Sequence, residues 1–194
     1  RQRYFSNART SEAFFSFLSG PIFKRDVWEK SEGVLESFYQ TCWGLAGRLL
    51  SLIPSGLTVH YLGESLLYKR GIKEFHGDNN SFRELGAVNR LQVSVEGFAH
   101  IAETIFGKNS QEAFHIKRVI RNEWSLPSLL YLKMLTANSP QLEKIDSLKK
   151  IAAKHYFSAG IGNMCKYFIF RLMPISLIKI ADLLRKASLK SRSL

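Results

Sequence analysis

Seven apolar residues recur at helical spacing between positions 85 and 105: Leu85, Val88, Leu91, Val95, Phe98, Ala102 and Ile105. A spacing of three and four residues puts them on one face of a helix about six turns long, which must be buried against something else. Ser81 and Glu84 precede it with capping-box spacing, the Ser oxygen accepting from the backbone three residues on while Glu reaches back. Gly107 stops it, because glycine closes a helix without a Cβ penalty. Asn109 with Glu112 is expected to cap the next helix. Ser139-Pro140 starts another, with proline at the first helical position. From residue 83 onward the pattern reads as helices only.

The charge sharpens this picture. The chain of 194 residues has a formal net charge of +12, and residues 141–194 hold 11 basic and 3 acidic side chains, so +8 of the excess lies in the last quarter. Localised cationic charge attracts anionic lipid or nucleic acid. Residues 161–184 are apolar, but Lys166, Arg171, Pro174, Lys179 and Asp182 interrupt them. A spanning helix needs roughly 20 mostly apolar residues, so a transmembrane reading is rejected. Residues 175–188 place Leu177, Ile178, Ala181 and Leu184 on one side, with Lys179, Asp182, Arg185 and Lys186 on the other. Such a helix can lie in a lipid interface, or dock on the core with a solvated basic face.

The first eighty residues read differently. Aromatics crowd residues 13–23, which look like a buried strand ending at Gly20-Pro21. Residues 24–31 read as a short helix and 35–53 as a longer helical stretch ended by Pro54-Ser55-Gly56. Leu57 to Tyr61 alternates as a strand does, and Ser65 to Lys69 is a second short one. Residues 71–80 form a polar loop. The expected class is therefore α/β, a sheet of few strands followed by a mainly helical region, α-rich overall. The expected parts are 1–82 and 83–194. Cys42 and Cys165 lack metal-ligand spacing and suit a reducing compartment. The chain starts at Arg1 without an initiator Met, so a fragment or processed product is expected.

The run Phe14-Phe15-Ser16-Phe17-Leu18-Ser19-Gly20-Pro21-Ile22-Phe23-Lys24-Arg25-Asp26-Val27-Trp28-Glu29, followed by Tyr68-Lys69-Arg70-Gly71 and His76-Gly77-Asp78-Asn79-Asn80-Ser81-Phe82, resembles the acceptor-side half of a family 2 glycosyltransferase of the GT-A type, of the bacterial surface-polysaccharide kind. The resemblance covers about residues 13–100. It implies an enzyme moving a sugar from a nucleotide-diphosphate donor to a hydroxyl of a lipid-linked glycan, cytoplasmic and peripheral on the inner face of the plasma membrane. Ser19, Gly20 and Trp28 would lie beside the acceptor, since small side chains let a sugar ring approach the backbone. Arg70, His76, Asn80 and Ser81 would meet the donor diphosphate: arginine offers a planar fork, and a helix N-terminus favours an anion.

The same resemblance implies a divalent metal, Mg or Mn. His76 is the candidate ligand here, because the D-x-D motif of such enzymes is absent from this chain. Where an acidic pair usually supplies the catalytic base the chain has Gln40 and Thr41, which leaves Glu36 as the nearest carboxylate. The chain alone would then lack a donor site. His60, His100, His115 and His155 show no ligand spacing. The other reading is a non-enzymatic helical binding module whose basic C-terminus, residues 161–194, holds a membrane or another anionic partner. No RNA- or DNA-reading motif is present, which places nucleic acid last.

Overall fold

A computed structural model describes residues 2–16, 21–31, 36–60, 86–137 and 143–191, and among these there is no strand. The α/β expectation is thereby corrected. The described residues form helices α1 (Gln2–Asn7), α2 (Arg25–Glu29), α3 (Gly44–Leu50), α4 (Gly86–Phe106), α5 (Gln111–Glu123), α6 (Leu126–Ala137), α7 (Glu143–Ala152), α8 (Ile161–Leu172) and α9 (Ile175–Ser191). Ser11–Phe14 and Glu36–Thr41 are 3-10 helices, and Ala153–Phe157 is a π-helical turn. By its contacts the chain divides into two compact units, residues 1–81 with 93–123 and residues 82–92 with 124–194.

In the first unit one of the aromatics read as strand residues, Phe14, is a core residue of another kind, while Phe23 is exposed. Phe14 is fully buried on a single 3-10 turn, which Phe15 closes in the left-handed region at φ 61°. Its ring belongs to an aromatic chain. Phe5 lies 6.0 Å from Phe14 and 5.2 Å from Phe106, Phe14 lies 6.4 Å from Phe98, and Phe98 lies 4.8 Å from Trp43. Aromatic β-propensity reflects the fit of a ring to a half-buried surface, and a one-turn helix against α1 and α4 supplies that burial equally well. Leu57 to His60 carries no regular structure, and Thr58, Val59 and His60 are exposed. The second expected strand, Ser65 to Lys69, and the caps at Ser81 and Ser139 lie outside the described residues.

α5 binds these short elements. The Glu123 carboxylate accepts from the Ser11 amide at 2.5 Å, and the Arg118 guanidinium donates to the Ser6 carbonyl at 2.9 Å. Short helices leave most of their end groups without internal partners, so such side-chain bonds define them. The Tyr4 hydroxyl donates to the Ala13 carbonyl, and burial pushes its pKa up to about 12. Lys117 and Glu103 pair at 2.8 Å between α5 and α4. α4 buries Val88, Leu91, Val95, Phe98 and Ala102, and Gly107 ends it at φ 87°. The cap of α5 is Ser110 rather than Asn109: its hydroxyl accepts from the Ala113 amide at 3.0 Å.

His115 on α5 has a buried Nδ1 with no hydrogen-bond partner. Burial, then the Arg118 charge, holds its pKa below the usual imidazole value, with Glu112 opposing. A depressed pKa means the unfolded chain binds the proton more readily. Stability from this group is present above about pH 6.5, the unfolded value, and is lost as pH falls below it. We expect the thermal midpoint to drop between neutral and mildly acidic pH, and to drop less in His115→Gln. Identical pH profiles for the two proteins would refute the assignment.

The second unit is organised on α6, against which α7, α8 and α9 pack. Ser125 caps it, its hydroxyl accepting from the Ser128 amide at 3.3 Å. α6 is apolar around most of its circumference, as a helix with neighbours on several sides must be. Leu129, Leu132 and Met134 are buried on it. So is Lys133, which donates to the carbonyls of Phe170 at 2.7 Å, Arg171 at 3.1 Å and Met173 at 2.8 Å. Those carbonyls belong to the last turn of α8 and the residue after it, where donors are otherwise missing and a cation is favoured. Burial first, and Lys149 second, pushes the Lys133 pKa below the usual lysine value. Pro174 follows and α9 begins at Ile175.

Candidate binding face

Of the region expected as a basic tail, 161–194, the described residues form two helices, α8 and α9, docked in the second unit. α8 buries Tyr167 and Phe170, and α9 buries Ile178. Their other sides are not polar. On α8, Ile161, Cys165, Phe168, Ile169 and Leu172 are exposed at helical spacing, with Ile161 at 78% and Leu172 at 74%. On α9, Leu177, Ile180, Ala181 and Leu184 form a second exposed row. Leu183, at 66%, stands beside it. Of the fourteen large apolar residues exposed among the described residues, nine fall between Phe157 and Leu184. Scattered exposed leucines are ordinary, but a concentration of this kind marks a contact surface.

The charge around these rows is basic. Arg171 is exposed at the end of α8, where it reaches the Tyr167 hydroxyl at 3.3 Å. Lys179 and Arg185 are exposed on α9, and Arg185 donates to the Asp182 carboxylate at 3.0 Å. Lys166 is turned inward, donating to the Trp124 carbonyl at 3.2 Å, with its ammonium 5.2 Å from the Tyr156 ring. The sequence grouped Ile178 with Leu177, Ala181 and Leu184. Ile178 alone faces the core, because docking uses a side about 100° around from Leu177. Ile161, Phe168, Ile169, Leu172, Ile180 and Leu183 were not recognisable as site residues from charge. The signal was there in α8, which has only two charged residues and is apolar on both sides.

The residues implied by the resemblance do not come together as a described site. Ser19, Gly20, Arg70, His76, Asn80 and Ser81 lie outside the described residues. Trp28 stacks on Phe23 with ring centroids 5.4 Å apart, and the Arg48 guanidinium lies 3.4 Å from its ring centroid. Arg48 is buried, and it also donates to the Ser31 hydroxyl and the Trp28 carbonyl. Glu36 is exposed at the start of its 3-10 helix. Thr41 donates to the Phe38 carbonyl at 2.7 Å and accepts from the Trp43 amide at 3.1 Å, so its hydroxyl shapes the turn. Among the described residues, no group of three or more His, Cys, Asp or Glu side chains could hold a metal ion. A cleft of about 630 Å³ in the first unit is lined by Asn7, Arg9, Arg118 and Asn122 among others. The Arg118 guanidinium there is already committed to the Ser6 carbonyl.

No family model matches the chain, and no solved structure matches it. Abequosyltransferase RfbV of Salmonella typhimurium (strain LT2) is 25% identical over 123 residues, which is 63% of this chain and 34% of that protein. The chain thus spans about a third of the length of the curated relative it matches. This partial likeness to a sugar transferase does not carry the GT-A assignment. A GT-A enzyme holds its nucleotide sugar on a sheet, and the described residues contain no strand and no metal-ligand group. The expectations of a GT-A glycosyltransferase, of an enzyme of polysaccharide synthesis, of a divalent metal cofactor with His76 as its ligand, and of nucleotide-sugar and glycan partners are corrected accordingly. α8 and α9 are separate docked helices, and no described helix is long and apolar enough to cross a membrane.

Proposed function

We propose that this chain is a non-enzymatic helical binding module whose basic C-terminal helices hold an anionic partner. The observation that carries the reading is the position of the charge. The last quarter of the chain has a net charge of +8, and Lys179 and Arg185 stand exposed on its final helix. Clustered cations on one element raise the local concentration of an anionic partner and make its capture salt-dependent. Helices packed on α6 give that charge a fixed scaffold.

Binding to heparin across a salt series tests this directly. Lys179→Glu with Arg185→Glu is expected to weaken binding about tenfold, equivalent to about 1.4 kcal/mol. The control pair Arg25→Glu with Lys30→Glu makes the same charge change on α2 and is expected to change binding less than about threefold. Equal losses for the two pairs would mean that overall charge alone is read, and the proposal would fail.

A further inference from the structure

We infer that the anionic partner is the headgroup layer of a lipid bilayer, with the exposed apolar rows of α8 and α9 inserted just beneath it. This rests on the binding-module reading above and adds a partner to it. Charge alone would serve any polyanion, but a soluble polyanion gains nothing from Ile161, Leu172, Leu177, Ile180, Leu183 or Leu184, exposed as they are. A bilayer interface rewards both features at once: its phosphates meet Arg171, Lys179 and Arg185, and its acyl boundary takes the isoleucines and leucines.

The dimensions agree with lying on the surface. α9 has 17 residues and so is about 25 Å long, shorter than the roughly 30 Å of a hydrocarbon core. No described helix can cross a membrane. Apolar rows on helices already docked through Ile178, Tyr167 and Phe170 present a preformed surface, so little ordering is required on binding. A second protein would also cover apolar residues. The arginines and lysine on the polar sides of the same helices, in a segment with a single acid between residues 157 and 194, match a continuous anionic surface better than a mixed-charge protein face.

Sedimentation with vesicles and binding to heparin, run in parallel on the whole chain, separate the two claims. Wild type is expected to bind mixed phosphatidylglycerol–phosphatidylcholine vesicles and to bind phosphatidylcholine alone at least about tenfold less well. Leu177→Gln with Leu184→Gln, which removes apolar surface without adding charge, is expected to lose vesicle binding by a similar factor, about tenfold, while heparin binding changes little. Both leucines are exposed, so the variant should fold. An environment-sensitive fluorophore on Cys165, in a Cys42→Ser background, checks the same point in the native rows and is expected to shift to the blue on vesicles. Heparin binding without vesicle binding, or a Leu177→Gln, Leu184→Gln variant that binds vesicles like wild type, would overturn the lipid inference and leave the binding module standing. Binding to neither would overturn both.

Discussion

Replacing Gly97 with valine is expected to destabilise the first unit by about 3 kcal/mol, at the upper end of what overpacking costs. Gly97 sits on α4 beneath the turn that starts α3. A Cβ added there would come within 2.9 Å of the Trp43 ring and 3.0 Å of the Thr41 carbonyl. The ring cannot give way easily: its Nε1–H donates to the Val93 carbonyl at 2.9 Å, and it packs against Phe98. The carbonyl is backbone and cannot swing aside. A domain of this kind is stable by about 5–15 kcal/mol, so the loss is a large share of the total. The urea midpoint and near-ultraviolet dichroism of the tryptophans report it. A valine variant within about 0.5 kcal/mol of wild type would show that α4 and the 41–43 turn do not meet as described.

Removing the Lys133 ammonium is expected to loosen α8 and α9 together. Lys133→Met keeps the stem and its packing but deletes three hydrogen bonds from a charged donor to the end of α8. Bonds of this type contribute about 1.5–3 kcal/mol each when one is removed, but relieving the buried charge offsets part of that, so the net loss is about 2–3 kcal/mol. Lys133→Ala should cost more, since it also leaves a cavity beside Phe170. Thermal melting ranks the two. Because the binding rows lie on the same helices, vesicle affinity should fall with stability in both variants. A Lys133→Met protein as stable as wild type would contradict the role of this lysine as the cap of α8.

The helical half was legible because its signals are local. The α4 face from Val88 to Ala102 follows from spacing, and the stop at Gly107 follows from glycine's tolerance of φ 87°. What misled was the aromatic run. Phe14 and its neighbours satisfy the composition of a strand, but a strand needs a partner, and here a single 3-10 turn brings Phe14 against Phe5 and Phe98. Leu57 to Tyr61 alternates for the same superficial reason. The site was half legible. Charge mapping found the basic quarter, but it could not reveal which side of each helix docks. Rotation of α9 on its axis, fixed by Ile178, decides whether Leu177, Ile180 and Leu184 are core or surface. The charge pattern alone does not encode that rotation.

Amide hydrogen exchange, compared with and without phosphatidylglycerol-containing vesicles, tests the central claim most directly. The account expects exchange to slow in α8 and α9, from Ile161 to Ala187, while α1 and α5 keep their rates. Slowing confined to α1 and α5, or no change in α8 and α9 under conditions where the chain sediments with the vesicles, would contradict it.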